Sequence, residues 1–358
     1  MPDLSPFLLY GANGFTAGLI IDQAASFGLQ PILAGRNEAK IKELAQQHGL
    51  PYRIADLADA GALDALLQDI KVVLHCAGPF SQTALPMQQA CLRRQTHYLD
   101  ITGEIAVFEQ GAALHGEAVK RKVLLMSGVG FDVVPTDCMA LFLQQKLPDA
   151  THLQLAFQTM GGKVSHGTAA TAIENLGAGG MVRENGKLKR VPTAHKTLFV
   201  PFTANKQTTC IAIPWGDLST AYHTTGIPDI ETYMAAPPVT IRVAKLSNYL
   251  NWLIGSWWFK RLVRKRIDRT LTGPDDAARK AAQVFVWGRA WNNRGESVQA
   301  RLRGPDGYSL TAAAALTITR KVLNGDWQPG FQTPAGLYGS NLVLELAGTQ
   351  RQDIVEKD

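Results

Sequence analysis

Cysteine is scarce and scattered in this chain. Cys76, Cys91, Cys138 and Cys210 are the only four in 358 residues, and none forms a Cys-x-x-Cys pair or clusters with histidine. That pattern argues against a disulfide scaffold and against a zinc site. It predicts reduced thiols in an intracellular, cytoplasmic protein that holds no metal. No tyrosine is followed four positions later by lysine, so the catalytic dyad of short-chain dehydrogenases is missing; Tyr98, for one, is followed by Thr102. The N-terminus lacks a basic stretch running into an apolar one, so no secretory signal is expected. There is no nucleic-acid-binding motif, internal repeat or low-complexity tract. The composition, 46% hydrophobic and 18% charged with a net charge of +6, is that of a folded chain long enough for two domains.

The first 126 or so residues alternate short apolar runs with helical periodicity. Strands are expected at 7–10, 31–34, 52–55, 72–75, 97–100 and 123–126, giving a parallel sheet covered on both faces. Residues 1–130 thus read as a doubly wound, Rossmann-type α/β domain. From 131 to 330 the pattern changes to longer strands, with Asn185-Gly186 at a hairpin turn and helices at 168–176, 246–267 and 310–323. This predicts a second α+β domain, with a largely antiparallel sheet, for substrate binding or dimerisation. A final helix, 333–347, is expected to pack back on the first domain.

The run Phe7–Tyr10 leads into Gly11-Ala12-Asn13-Gly14-Phe15-Thr16-Ala17. Gly11 suits the tight turn, Gly14 leaves room for a phosphate, and the helix that follows directs its unpaired amides at an anion. Asn13, Phe15 and Thr16 belong to the same dinucleotide-binding turn. Beyond the second strand stand Arg36 and Asn37, where an NAD site would place a carboxylate. A guanidinium instead binds the extra phosphate of NADP through charge-assisted hydrogen bonds, and NADP(H) is therefore the expected cofactor. Asp56, after the third strand, either bonds the adenine amino group or caps the next helix. Ala77, Gly78 and Pro79 keep the chain close to the cofactor, Phe80 shapes the wall near the nicotinamide, and Ser81 or Thr83 is expected to cap the following helix.

Five segments occur in order, at 11–17, 34–37, 76–80, 96–104 and 130–137. Together they resemble the saccharopine dehydrogenase-like oxidoreductases, closest to the branch holding the trans-acting enoyl reductases and the saccharopine dehydrogenase-like proteins of animals. The resemblance implies a Rossmann domain, NADP, and a substrate domain closing over the nicotinamide. It leaves the substrate open. Ala17 departs from the glycine usual in that family but is small enough to matter little.

Hydride transfer requires positioning, exclusion of water and one proton. Tyr98 and Asp100 share a face of the fifth strand and stand near Thr102 and Glu104. They read either as catalytic groups or as a core aromatic and a carboxylate bonding loop amides. Asp132 reads as a hinge or cap. In the second domain the segment 161–168 joins a strand to a helix and is expected to face the substrate, with Ser165 and Thr168 as caps or carbonyl ligands and His166 as a proton donor.

Three tryptophans in Leu250–Phe259 precede a basic cluster ending at Arg266. The apolar core is about half of a spanning helix. It suits an interfacial membrane helix or a lid over a lipid-like substrate, or else a packed helix or homodimer contact. The whole reads as an NADP(H)-dependent oxidoreductase reducing a C=C or C=N bond of a hydrophobic or acyl-linked small molecule. The alternatives are a saccharopine-type imine reductase acting on an amino-acid adduct, or a non-catalytic NADP-binding scaffold or sensor at a membrane surface. Replacing Arg36 with alanine is expected to weaken NADPH binding by roughly 1.5–3 kcal/mol and leave NADH binding nearly unchanged in equilibrium titrations. Equal losses for the two would contradict the assignment.

Overall fold

The structure, a computed structural model, describes residues 5–161, 165, 167, 169, 173, 176–270 and 276–354, with the backbone alone for 267–270, 276 and 278. The chain divides into two compact units. One comprises Met1–Val134 and Tyr308–Leu337; the other comprises Pro135–Gly307 and Tyr338–Asp358.

The first unit is built on six parallel strands: β1 (Ser5–Tyr10), β2 (Leu29–Gly35), β3 (Tyr52–Ile54), β4 (Val72–His75), β5 (His97–Asp100) and β6 (Leu124–Met126). Their spatial order is β6-β5-β4-β1-β2-β3, and the short strand Gly330–Phe331 lies parallel to β6 on the outer edge. This is the doubly wound order, in which ligands bind beyond the carboxyl ends of the strands where the order reverses, between β1 and β4. Phe7, Leu8, Leu9 and all four residues of β4 are fully buried, as a strand covered on both faces requires. The connecting helices are α1 (Phe15–Ala24), α2 (Glu38–His48), α3 (Ala60–Leu66), α4 (Phe80–Arg94), α5 (Ile105–Ala113) and α6 (His115–Arg121). Local signals place their ends. The side chain of Asn37 accepts from the Lys40 amide to start α2, and Gly49 closes that helix in the left-handed conformation.

The second unit begins within α7 (Val134–Lys146) and contains a nine-stranded sheet. Its strands include β7 (His152–Met160), β8 (Gly180–Glu184), β9 (Lys187–Val191), β10 (Thr197–Thr203), β11 (Lys206–Ala212), β12 (Asp229–Ala235), β13 (Gln283–Trp291) and β14 (Ser297–Pro305), with Gln350–Ile354 beside β14. Among the described residues all pairings of this sheet but one are antiparallel; β12 runs parallel to β7. The β8–β9 hairpin turns at Asn185-Gly186, both with positive φ, as the sequence predicts. The doubly wound domain followed by a largely antiparallel one is the expected fold class.

Several details differ from the expectation. The helix Gly307–Leu323, assigned from sequence to the second domain, groups from Tyr308 onward with the first. The hydroxyl of Thr311 accepts from the Phe131 amide at 3.0 Å, tying this helix to the loop after β6. The segment 333–347 is not one helix: Gly339, at a φ of 83°, separates the helix Pro334–Tyr338 from a 3-10 turn at Leu342–Glu345. The helix expected over 246–267 is broken into Pro238–Ser247, Asn251–Ile254 and Trp257–Thr270. Gly255 marks the break, lying so close to Gly177 that a methyl group on the latter would fall 2.6 Å from the Gly255 backbone. Most of the helix expected at 168–176 lies outside the described residues.

Candidate functional site

Beyond the carboxyl ends of β1 and β4 the chain makes a close crossing. Gly11, with φ of 82°, turns so near the next segment that a Cβ there would lie 2.7 Å from the Ala77 amide nitrogen. Only glycine fits, on both conformational and steric grounds. Gly14 then caps α1 without any side-chain hydrogen bond, and Asn13, Gly14 and Phe15 are exposed. The first amides of α1 therefore have no side-chain cap, which is the condition for binding a phosphate there. Phe15 rests edge-on against Tyr308, their ring centroids 5.1 Å apart.

Arg36 stands exposed after β2, next to this turn in the sheet order. Burial pushes the Tyr10 hydroxyl up to about 12; the negative charge of Asp56 adds to that and the positive charge of Arg36 opposes it. Both charged groups thus act electrostatically on the end of β1. The side chain of Asn37 is engaged as the α2 cap. Asp56 does not cap α3: it accepts from the Ala58 amide at 2.9 Å, while Asp59 is the cap. The Asp56 carboxylate is exposed at the end of β3.

The segment 76–79 is clamped from two sides. From below, the Thr83 hydroxyl donates to the Ala77 carbonyl at 2.6 Å and lies 3.1 Å from His75 Nε2. That network assigns the imidazole proton to Nε2. The His75 ring is fully buried, stacked on Tyr10 and edge-on to Phe80, and burial lowers its pKa to about 3, so it stays neutral. From the other side, the Glu104 carboxylate accepts from the Phe80 and Ser81 amides at 2.8 and 2.9 Å. The cap of α4 is therefore Glu104, from a distant loop, and not Ser81 or Thr83. Phe80 is buried with its ring against His75.

Glu104 is held in turn by Asp100. Tyr98 and Ser127 each donate a hydroxyl hydrogen bond to Asp100 Oδ2 at 2.8 Å, and the Thr102 and Gly128 amides donate to Oδ1 at 2.9 and 3.0 Å. Thr102 Oγ1 then accepts from the Glu104 amide at 3.0 Å. Tyr98 and Asp100 are both fully buried, so the structure brings this expected pair together but beneath the loops. Burial also raises the Tyr98 pKa well above its ordinary value. Asp132 lies against Gly103, whose Cβ would fall 2.8 Å from its Oδ2. Desolvation raises the Asp132 carboxyl to about 7, although part of the residue's surface remains accessible. In the second unit Ser165 is buried; His166 and Thr168 lie outside the described residues. His75 and Tyr308 were not singled out from sequence. A histidine closing an apolar strand reads as core, and Tyr308 lies nearly three hundred residues from Phe15. Among the described residues no cluster of His, Cys, Asp or Glu is placed to hold a metal.

The strand order and the bare phosphate turn define a dinucleotide-binding protein. Residues 7–126 match the family model described as saccharopine dehydrogenase NADP binding domain, and the cofactor of this domain is NADP(H). The turn from Gly11, the uncapped α1 and exposed Arg36 fit that group. The chain is 27% identical over 202 residues to a saccharopine dehydrogenase-like oxidoreductase of Mus musculus, a match covering 49% of this chain and 47% of that protein. It is 32% identical over 146 residues to the trans-acting enoyl reductase of Mycobacterium leprae, covering 38% and 35%. In these matches the chain spans half or less of the relative's length. By contrast, similarity to a lipid droplet localized protein of Caenorhabditis elegans, at 22% identity, covers 94% of this chain and 95% of that one. The fold is also that of apo saccharopine dehydrogenase from Saccharomyces cerevisiae, with a TM-score of 0.67, 14% identity and coverage of 98% and 100%.

The buried Asp100 has a consequence for stability. Desolvation raises its carboxyl from 3.8 to about 6, against the pull of its amide and hydroxyl donors. Between those values the native state binds the proton and the unfolded chain does not. The associated stability is fully present below the lower value and is lost as pH rises through the upper one, a change of ~3 kcal/mol. Asp100→Asn cannot accept all four hydrogen bonds and is expected to be less stable than wild type. That deficit should shrink by up to ~3 kcal/mol between about pH 4 and about pH 7 in denaturant titrations; a pH-independent deficit would contradict this account.

Proposed function

We propose that the protein is an NADP(H)-dependent oxidoreductase that reduces a carbon–carbon or carbon–nitrogen double bond in a hydrophobic or acyl-linked substrate, as an enoyl reductase does. The observation that carries the reading is the uncapped turn at Gly11–Gly14 together with exposed Arg36 beyond β2. When bound, NADPH supplies a hydride. This chain's residues supply the rest: the α1 amides and Arg36 bind phosphate charge, and the doubly clamped loop Ala77–Pro79 gives the cofactor a fixed wall. Asp100 acts as a positioning residue in this scheme, holding Thr102 and, through it, Glu104 at the end of α4.

The substrate class draws on the relatives named trans-acting enoyl reductase and lipid droplet localized protein. A cytoplasmic enzyme with peripheral access to a lipid phase fits that chemistry. The described helices include none long and apolar enough to cross a membrane. The test is NADPH oxidation, followed by the absorbance of the reduced nicotinamide, with long-chain 2-enoyl thioesters and with glutamate plus an aldehyde. Oxidation is expected with the enoyl thioesters, and more slowly when NADH replaces NADPH. Turnover of the imine-forming pair alone would move the protein to the saccharopine-type reductases. Binding of NADPH without oxidation by any of these substrates would make it a scaffold or sensor.

A further inference from the structure

We propose that the helices Pro238–Ser247, Asn251–Ile254 and Trp257–Thr270 form a docking surface for an anionic phospholipid membrane. This goes beyond the reading of the reaction and does not depend on it. Nine of the seventeen large apolar side chains exposed among the described residues fall between Val239 and Leu262. Soluble surfaces scatter such residues singly, whereas a concentration of them marks an interaction site. The helix Pro238–Ser247 shows the division most clearly. Its inner face, Ile241 and Ala244, packs on Ala194, Ile211 and Ala236. Val239, Val243 and Leu246, spaced four and three apart, carry a second apolar stripe that is 60–68% exposed. The segment is anchored, since the Asn248 side chain accepts from the Thr193 amide and donates to the Thr193 carbonyl at 2.8 and 3.0 Å.

Aromatic type and charge identify the occupant. Tyr249, Trp252 and Trp257 are 72–82% exposed, and these amphipathic rings favour the water–lipid boundary. Residues 237–266 contain seven lysines and arginines and no acidic residue. Among the described residues Arg242, Lys245, Arg261 and Lys265 make no ion pair. A second copy of the chain docking here by twofold symmetry would set these cations against their own kind. An anionic lipid surface instead complements them while the apolar side chains enter the headgroup region.

The test is flotation of the full chain with phosphatidylcholine vesicles, with and without phosphatidylserine. Binding is expected only when phosphatidylserine is present, with release at high salt and a blue shift of tryptophan emission. Trp252→Ala with Trp257→Ala, and separately Arg261→Gln with Lys265→Gln, should each reduce the bound fraction at least tenfold without changing the thermal unfolding midpoint. Equal binding to both vesicle types, no binding to either, or unchanged binding by the charge variant would overturn the proposal. So would a wild-type dimer that the tryptophan variant converts to monomer. Because no turnover is measured, loss of this proposal leaves the reading of the reaction standing, and the reverse also holds.

Discussion

At Gly11 the first strand turns so close to the fourth that a methyl group would lie 2.7 Å from the Ala77 amide nitrogen. This contact fixes the path of both segments at the point where the strand order reverses. It brings the uncapped end of α1 and the Ala77–Pro79 loop to the same edge of the sheet. Neighbouring backbone cannot yield as a flexible side chain can, so the constraint is stiff. The candidate cofactor site of this domain is a consequence of that crossing.

The loop beside the turn is held by hydrogen bonds from side chains beneath it and from the loop after β5. Asp100 collects four donors beneath the surface and passes order through Thr102 to Glu104, which caps α4. His75 and Thr83 hold the same loop from the core side. Desolvation makes the Asp100 carboxylate costly, and a buried polar group is tolerable only when its partners are in place. The arrangement spends stability on the geometry of a loop.

How much of this was legible in the sequence depended on the range of the signal. Strands β4 and β5 and the Asn185-Gly186 hairpin follow from apolar runs, alternation and turn chemistry, which are local. So do the glycine turn and Arg36. Long-range partners were not legible. Glu104 replaces the local cap expected of Ser81 or Thr83, and Thr311 returns to Phe131 across the second domain. Strand β12 (DIETYMA) alternates only imperfectly and is stabilised by parallel pairing with β7, which no neighbouring residue announces. The exposure of Val239, Val243 and Leu246 also required the fold, because helical spacing alone reads such a stripe as core.

The central claim is that this domain recognises the phosphate distinguishing NADPH from NADH through the residue beyond β2. The most direct measurement is competition against bound NADPH, monitored by nicotinamide fluorescence, with adenosine 2′,5′-bisphosphate and with AMP as competitors. The account predicts displacement by the bisphosphate at concentrations at least tenfold lower than AMP requires, the ratio expected of one added charge-assisted contact. Equal displacement by the two nucleotides would contradict it.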